Sequence, residues 1–207
     1  MTDTVHRAPA RLDTITPALL RAAGIGGLLG GTGLFLVMAG YNAANNMGFW
    51  AILNACFAAF VYKSAGMTSM TPMPGEAGMA HHAMGGQHIV ASHVAVGTVL
   101  HLAMSIGAGV AFAIVLAVLI RTGLRILSTA VGYLLGGAAG GALLYLIMME
   151  AVAPHLNRTI VEFTPRTPFF LAHLLFGAVV TAYVYWRAAP VSGAPTKLAI
   201  RLHTRTA

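Results

Sequence analysis

Four long apolar stretches constrain the fold of this chain more than any other feature of its sequence. Each is long enough to cross the hydrocarbon core of a bilayer, which is about 30 Å thick and takes about 20 residues of helix. Only 8% of the 207 residues are charged and 57% are apolar, which is too apolar for a soluble protein of this length. The sequence therefore predicts an all-α membrane protein with four transmembrane helices, at about 22–41, 92–120, 126–151 and 168–187.

A fifth apolar stretch, at 48–62, is shorter, and the distribution of positive charge indicates whether it crosses. If it does not cross, nine lysines and arginines lie on one side of the membrane and three on the other. The nine are Arg7, Arg11, Arg21, Arg121, Arg125, Arg187, Lys197, Arg201 and Arg205, and the three are Lys63, Arg158 and Arg166. Because cytoplasmic segments carry such an excess, we predict a short re-entrant or interfacial helix on the outer side.

The same charge distribution predicts how the chain is organised. A cytoplasmic N-terminal segment at 1–21 precedes a membrane domain at 22–187, which contains an outer insertion at 42–91, and a basic cytoplasmic tail follows at 188–207. The N-terminal segment lacks the apolar core of a cleavable signal peptide, so the first helix is expected to direct insertion. These features predict a multi-pass protein of a bacterial inner (plasma) membrane with both termini in the cytoplasm.

The four predicted helices resemble one another in pairs. The first and third share LLGG followed by small residues, and the second and fourth share His-Leu followed by Gly-Ala. This similarity predicts two parallel two-helix repeats, with the outer insertion in the first. Small residues four apart let helices approach closely in lipid, so we interpret the glycine ladders as packing surfaces.

Between Lys63 and His93 the chain concentrates methionine and histidine, and we call this part the Met/His segment. Thioether sulfur favours Cu(I), and imidazole binds copper and zinc. The segment has one acidic residue, Glu76, and no cysteine, which argues against a calcium site. A linker of accidental composition is the alternative, since His-rich tracts indicate metal binding by composition alone. The candidate copper ligands are Met67, Met70, Met73, Met79, His81, His82, Met84, His88 and His93.

Three ionisable residues at membrane depth form a possible second site: His101, Glu150 and His173. Such residues are costly in lipid and are therefore functional candidates. They could bind a metal or relay protons, or each histidine could be a hydrogen-bond donor inside the bundle. A haem b held by His101 and His173 is disfavoured. Membrane proteins that bind haem between helices usually carry several paired histidines on facing helices, whereas here each helix offers only one.

The remaining features narrow the class of function. The net charge of +7 is concentrated at the termini and at Arg121 and Arg125, and no basic stripe is interleaved with aromatic residues, so the expected partners are the bilayer and other membrane subunits, without nucleic acid. No catalytic motif appears, so a non-enzymatic role is expected.

The first hypothesis is copper handling, or support of a copper-dependent membrane enzyme. The alternatives are an accessory or structural subunit of a membrane complex and an electron-transfer subunit with a single haem.

Overall fold

The computed structural model describes residues 12–46, 48–53, 56–57, 91–156, 161 and 164–188. In this part of the chain every regular element is a helix, and four helices are long and apolar enough to cross a membrane. They are α1 (Pro17–Ala44), α2 (Ala91–Arg121), α3 (Ala130–Leu146) and α4 (Arg166–Ala188). α3 continues through a π-helical turn, Ile147–Val152, and a last α-helical turn, Ala153–Leu156. The predicted all-α fold with four membrane-spanning helices is confirmed.

The first helix begins at Pro17, earlier than the predicted start at about residue 22. The hydroxyl oxygen of Thr16 accepts a hydrogen bond from the backbone N–H of Leu19 at 3.1 Å, and Pro17 occupies the first helical position. Both are strong start signals for a helix. Arg21 therefore lies inside α1 with an exposed side chain, and its long apolar stem lets the guanidinium reach the polar surface of a membrane.

The four helices form a curved row in the order α2–α1–α4–α3. α1 packs against both α2 and α4, and α4 packs against both α1 and α3, whereas α2 makes few contacts with α3. All four helices contribute side chains to the lining of one cavity, which shows that the row curves around it. We call the end of the bundle where α1 ends and α2 begins the loop end.

Glycines set the close approach of the inner helices. One face of α1 places Gly27 and Gly31 against Ser105 of α2, and a neighbouring face places Gly26 and Gly30 against α4. A methyl group at any of these four glycines would approach atoms of the partner helix more closely than van der Waals contact allows. The glycine ladders are therefore packing surfaces, as interpreted from the sequence.

The two halves of the chain use the same helix contact. Aligning the two LLGG motifs matches Gly31 with Gly137, and aligning the two His-Leu pairs matches Ser105 with Gly177. Gly31 contacts Ser105 between α1 and α2, and Gly137 contacts Gly177 between α3 and α4. Equivalent residues thus meet in each half, which supports the two-helix repeat, and the halves lie side by side through α1 and α4.

The fifth apolar stretch is described at residues 48–53 and 56–57. Leu53 is 2% exposed, and its backbone packs directly on Gly97 near the start of α2. Phe49 and Trp50 pack around the ring of Phe35, with centroids 5.5 and 5.9 Å away. These residues fold back over the loop end, which is where a re-entrant or interfacial helix would lie, and residues 58–62 lie outside the described part of the chain.

Candidate functional site

A cavity of about 120 Å³ lies inside the loop-end half of the bundle, in the gap that the curved row leaves between α2 and α3. Twelve residues line it, and none of them is acidic. Five of them carry nitrogen or sulfur atoms that can bind a metal: Cys56, His101, Met104, Met148 and His173. Apart from Ser105, the other lining side chains are apolar.

His101 is placed in the cavity by the close contact of α1 and α2. Its side chain is 8% exposed, and its Nε2 lies 2.9 Å from the carbonyl oxygen of Gly31. One turn further along α2, the hydroxyl of Ser105 donates to the carbonyl oxygen of His101 at 2.7 Å. The absence of a side chain at Gly31 allows α2 to come near enough for the bond to His101.

His173 is held by its own helix and by aromatic neighbours. Its side chain is 4% exposed, and its Nδ1 lies 2.8 Å from the carbonyl oxygen of Phe169. The ring of Phe169 lies edge-on to the imidazole at a centroid distance of 4.4 Å, and the ring of Tyr145 at 5.9 Å. The position and tilt of this imidazole are therefore fixed without a charged partner among the described residues.

These hydrogen bonds determine which nitrogen of each imidazole carries a proton. A carbonyl oxygen only accepts, so Nε2 of His101 and Nδ1 of His173 are the donors. In the neutral rings, Nδ1 of His101 and Nε2 of His173 then carry lone pairs. Metal-binding histidines commonly donate their second ring N–H to a backbone carbonyl in this way.

The sulfur donors of the cavity were not among the candidate site residues predicted from the sequence. Met104 lies three residues after His101, a spacing that puts two side chains on one face of a helix. Met148 lies in the π-helical turn that ends α3, and π turns are often found at functional sites. The spacing from His101 was a usable signal for Met104, whereas nothing in the sequence near Met148 places it opposite α2.

Cys56 reaches the cavity from the segment that folds over the loop end. Burial raises the pKa of its thiol to about 11. The thiol is therefore protonated at neutral pH, and it adds no negative charge to the cavity.

Glu150 is not part of this cavity. Its side chain is exposed, and it lies two residues beyond Met148, which places the two side chains on nearly opposite faces of the helix. Among the described residues, no group of three or more His, Cys, Asp and Glu side chains could hold a metal ion. The structure thus brings together His101 and His173 but does not add Glu150 to them.

His93 is the one candidate ligand of the Met/His segment that lies within the described residues. It occupies the first turn of α2, and its imidazole stacks on the ring of Phe57 at a centroid distance of 4.0 Å. His101 follows it about two helical turns deeper in the bundle. The other eight candidates, Met67, Met70, Met73, Met79, His81, His82, Met84 and His88, lie outside the described part of the chain.

The cavity is closed toward the opposite end of the bundle. The Phe112 ring lies against Gly140 of α3, where an added methyl group would be 3.3 Å from ring atoms. The same ring meets that of Phe176 at a centroid distance of 5.8 Å. Phe112 therefore fills the gap between α2 and α3 below the two histidines.

Comparison of the chain with protein-family models, with curated proteins and with solved structures finds no match in any of the three.

Proposed function

We propose that this chain is a multi-pass protein of a bacterial inner membrane that binds copper at the extracytoplasmic side, either to handle copper or to support a copper-dependent membrane enzyme. The observation that carries this proposal is the composition of the cavity. Two imidazoles and two thioethers line one cavity, and no carboxylate is among its lining residues. Such a donor set suits a soft metal ion and not a hard cation such as Mg²⁺ or Ca²⁺.

The connection between the cavity and the Met/His segment supports the same function. The segment enters α2 at Ala91, and His93 lies in the first turn of that helix. His101 lies on the same helix, inside the cavity. A metal ion captured by the segment therefore has its nearest buried donors directly below the point where the segment joins the bundle.

The arginines support an outward-facing loop end. Arg21, Arg121, Arg125 and Arg187 lie in the half of the bundle opposite the loop end, and each side chain is exposed. An excess of basic residues marks the cytoplasmic side of a membrane protein. The Met/His segment and the mouth of the cavity would then face the extracytoplasmic space.

Copper titration of the full-length protein tests the function. Purified protein in nanodiscs is titrated with Cu(I) under anaerobic conditions against a chromogenic chelator that competes for the ion. We expect tight binding, and we expect replacement of all five segment methionines by leucine to weaken or remove part of it, because leucine keeps the apolar volume but lacks the sulfur. The matched control is Met149→Leu, which changes a buried methionine outside both the segment and the cavity lining. Failure of the unaltered protein to compete with the chelator would contradict the proposal.

One observation favours an accessory subunit as a second candidate function. Gly33 and Gly40 of α1 and Gly107 of α2 have open space where a side chain would be, unlike the glycines that pack inside the bundle. Close approach through small residues is a common basis for helix association in lipid. Under this proposal, purification in mild detergent retains another membrane subunit, and Gly33→Leu releases it without unfolding the chain. Retention of the subunit by Gly33→Leu protein would argue against docking at this position.

A further inference from the structure

We infer that His101 and His173, with the thioethers of Met104 and Met148, form an intramembrane site for Cu(I), distinct from the Met/His segment. The inference deepens the proposed function and rests on its assignment of copper. It places an ion inside the helical bundle, held by ligands on α2, α3 and α4.

The two imidazoles are prepared to bind a metal. Each ring nitrogen that donates to a backbone carbonyl, Nε2 of His101 and Nδ1 of His173, leaves the other nitrogen with its lone pair. Metal ions bind imidazole through its unprotonated nitrogen, and in each ring that nitrogen is the one not engaged by the backbone carbonyl. Because both rings are already held by hydrogen bonds, little side-chain freedom is lost when an ion binds.

The lining of the cavity favours Cu(I) over a divalent ion. The cost of burying an ion rises with the square of its charge, so a divalent ion costs about four times as much as Cu(I) in the same space. None of the lining residues is acidic, so the charge of a divalent ion would not be neutralised. Thioether sulfur also prefers Cu(I), and Met104 and Met148 provide it from the two helices that flank the gap.

The methionines of the described helices are concentrated near the loop end. They are Met38, Met104, Met148 and Met149, and each lies in the loop-end half of its helix. Met38 lies one turn from Leu34, which lines the cavity. On the other side Phe112 packs against Gly140 and Phe176, so we expect the ion to enter and leave at the loop end. A site in the loop-end half of the bundle, where the Met/His segment joins α2, is suited to holding Cu(I) and returning it on the same side.

The test isolates the cavity from the segment. In a segment-null protein, the methionines at 67, 70, 73, 79 and 84 are replaced by leucine and the histidines at 81, 82, 88 and 93 by alanine. This full-length protein in nanodiscs is titrated with Cu(I) alone against a competing chelator, and X-ray absorption then reports the oxidation state and ligands. We expect one remaining Cu(I) ion per chain, with nitrogen and sulfur neighbours.

Two variants of the segment-null protein test the ligands. His173→Gln and the pair Met104→Leu with Met148→Leu should each weaken Cu(I) binding by at least about 10–100-fold, the loss seen when even an outer partner of a metal ligand is removed. Both leave the bond between His101 and Gly31 intact, so the packing of α1 on α2 is retained. The controls are His155→Ala, which changes an exposed histidine, and Met149→Leu, which changes a buried methionine next to Met148; neither should alter binding.

The outcomes separate this site from the proposed function. If the unaltered protein binds Cu(I) and the segment-null protein does not, the intramembrane site is wrong and the function of the segment stands. If the segment-null protein binds Cu(I) but the cavity variants bind as tightly as the controls, the ligand assignment is wrong. An absorption spectrum with only oxygen neighbours also overturns it. If the unaltered protein binds no copper, both proposals are wrong.

Discussion

Cys56 is the single thiol of the chain, and its reactivity can be predicted from its burial. Burial raises its pKa to about 11, compared with 9.0 for an unperturbed thiol. The thiolate is the reactive form, so its fraction at pH 8 is about 100-fold lower than in a free thiol. We expect alkylation by iodoacetamide to be slow at pH 8 and to accelerate about tenfold per pH unit up to pH 10. The same protein unfolded in detergent should react as an ordinary thiol, and a rate in the folded protein that stops rising near pH 9 would contradict the raised pKa.

The residues of the candidate site differ in how far the sequence could predict them. His101 and His173 could be singled out because an ionisable side chain at membrane depth is rare. Glu150 met the same criterion but lies outside the cavity, because a carboxylate near a helix end can reach water instead of turning inward. Met148 could not be assigned, since methionine is ordinary in a membrane helix and its place opposite α2 depends on how the helices are arranged.

Packing between helices predicts which glycines tolerate a methyl group. Gly31 and its repeat equivalent Gly137 face partner helices with no room for a Cβ atom, whereas Gly33 faces open space. We expect Gly31→Ala and Gly137→Ala each to destabilise the bundle by about 1–3 kcal/mol, the usual cost of overpacking. Gly33→Ala should be neutral or stabilise by up to about 1 kcal/mol, because alanine favours a helix. The three variants can be compared by thermal unfolding in one detergent. Equal melting temperatures for all three would mean that these helix contacts are not formed.

Phe112 links the packing of α2 and α3 to the shape of the cavity. Its ring lies between Gly140 and Phe176 but is only half-buried, so Phe112→Ala should lower the free energy of unfolding by about 1–3 kcal/mol, less than for a fully buried ring. Phe112→Leu keeps most of the volume and should cost less. Because Phe112 contributes no donor atom to the cavity, a folded Phe112→Leu protein should bind the same amount of Cu(I) as the unaltered chain. Loss of copper by this variant, measured by elemental analysis, would show that the ion lies deeper than the cavity.

Helices as whole elements were predictable, and their ends were less so. Length and apolar composition alone indicated all four spans, because a bilayer leaves few alternatives to helix. The start of α3 was placed near residue 126, but residues Arg125–Ser128 form a 3-10 turn, and Thr129 then caps the helix through Gly132 N at 3.0 Å. Hydropathy does not distinguish a capping threonine from any other polar residue. The exact residue at which α3 begins is set by local hydrogen bonds, which hydropathy does not report.

At the scale of the molecule, the repeat and the arrangement of the helices were predictable to different degrees. The shared LLGG and His-Leu motifs indicated two similar halves, and the contacts of Gly31 and Gly137 occur at equivalent positions. The side-by-side order of the halves was not indicated, because the motifs describe the contact inside each half and not the contact of α1 with α4. That order produces the gap between α2 and α3, and therefore the cavity.

The proposed function requires the loop end to face the extracytoplasmic side, and single cysteines can test this. In a Cys56→Ala background, cysteine is placed at Ser64, at Gln87 or at Ser192, and intact cells are treated with a membrane-impermeant maleimide. We expect labelling at Ser64 and Gln87 in intact cells but at Ser192 only after disruption, since in the proposed orientation the excess of basic residues would hold both termini in the cytoplasm. The Ser192 variant verifies that the reagent stays outside. Labelling of the Ser64 and Gln87 variants only in disrupted cells would add a fifth crossing or reverse the bundle, and the cavity would then open toward the cytoplasm, where it could not receive copper from outside.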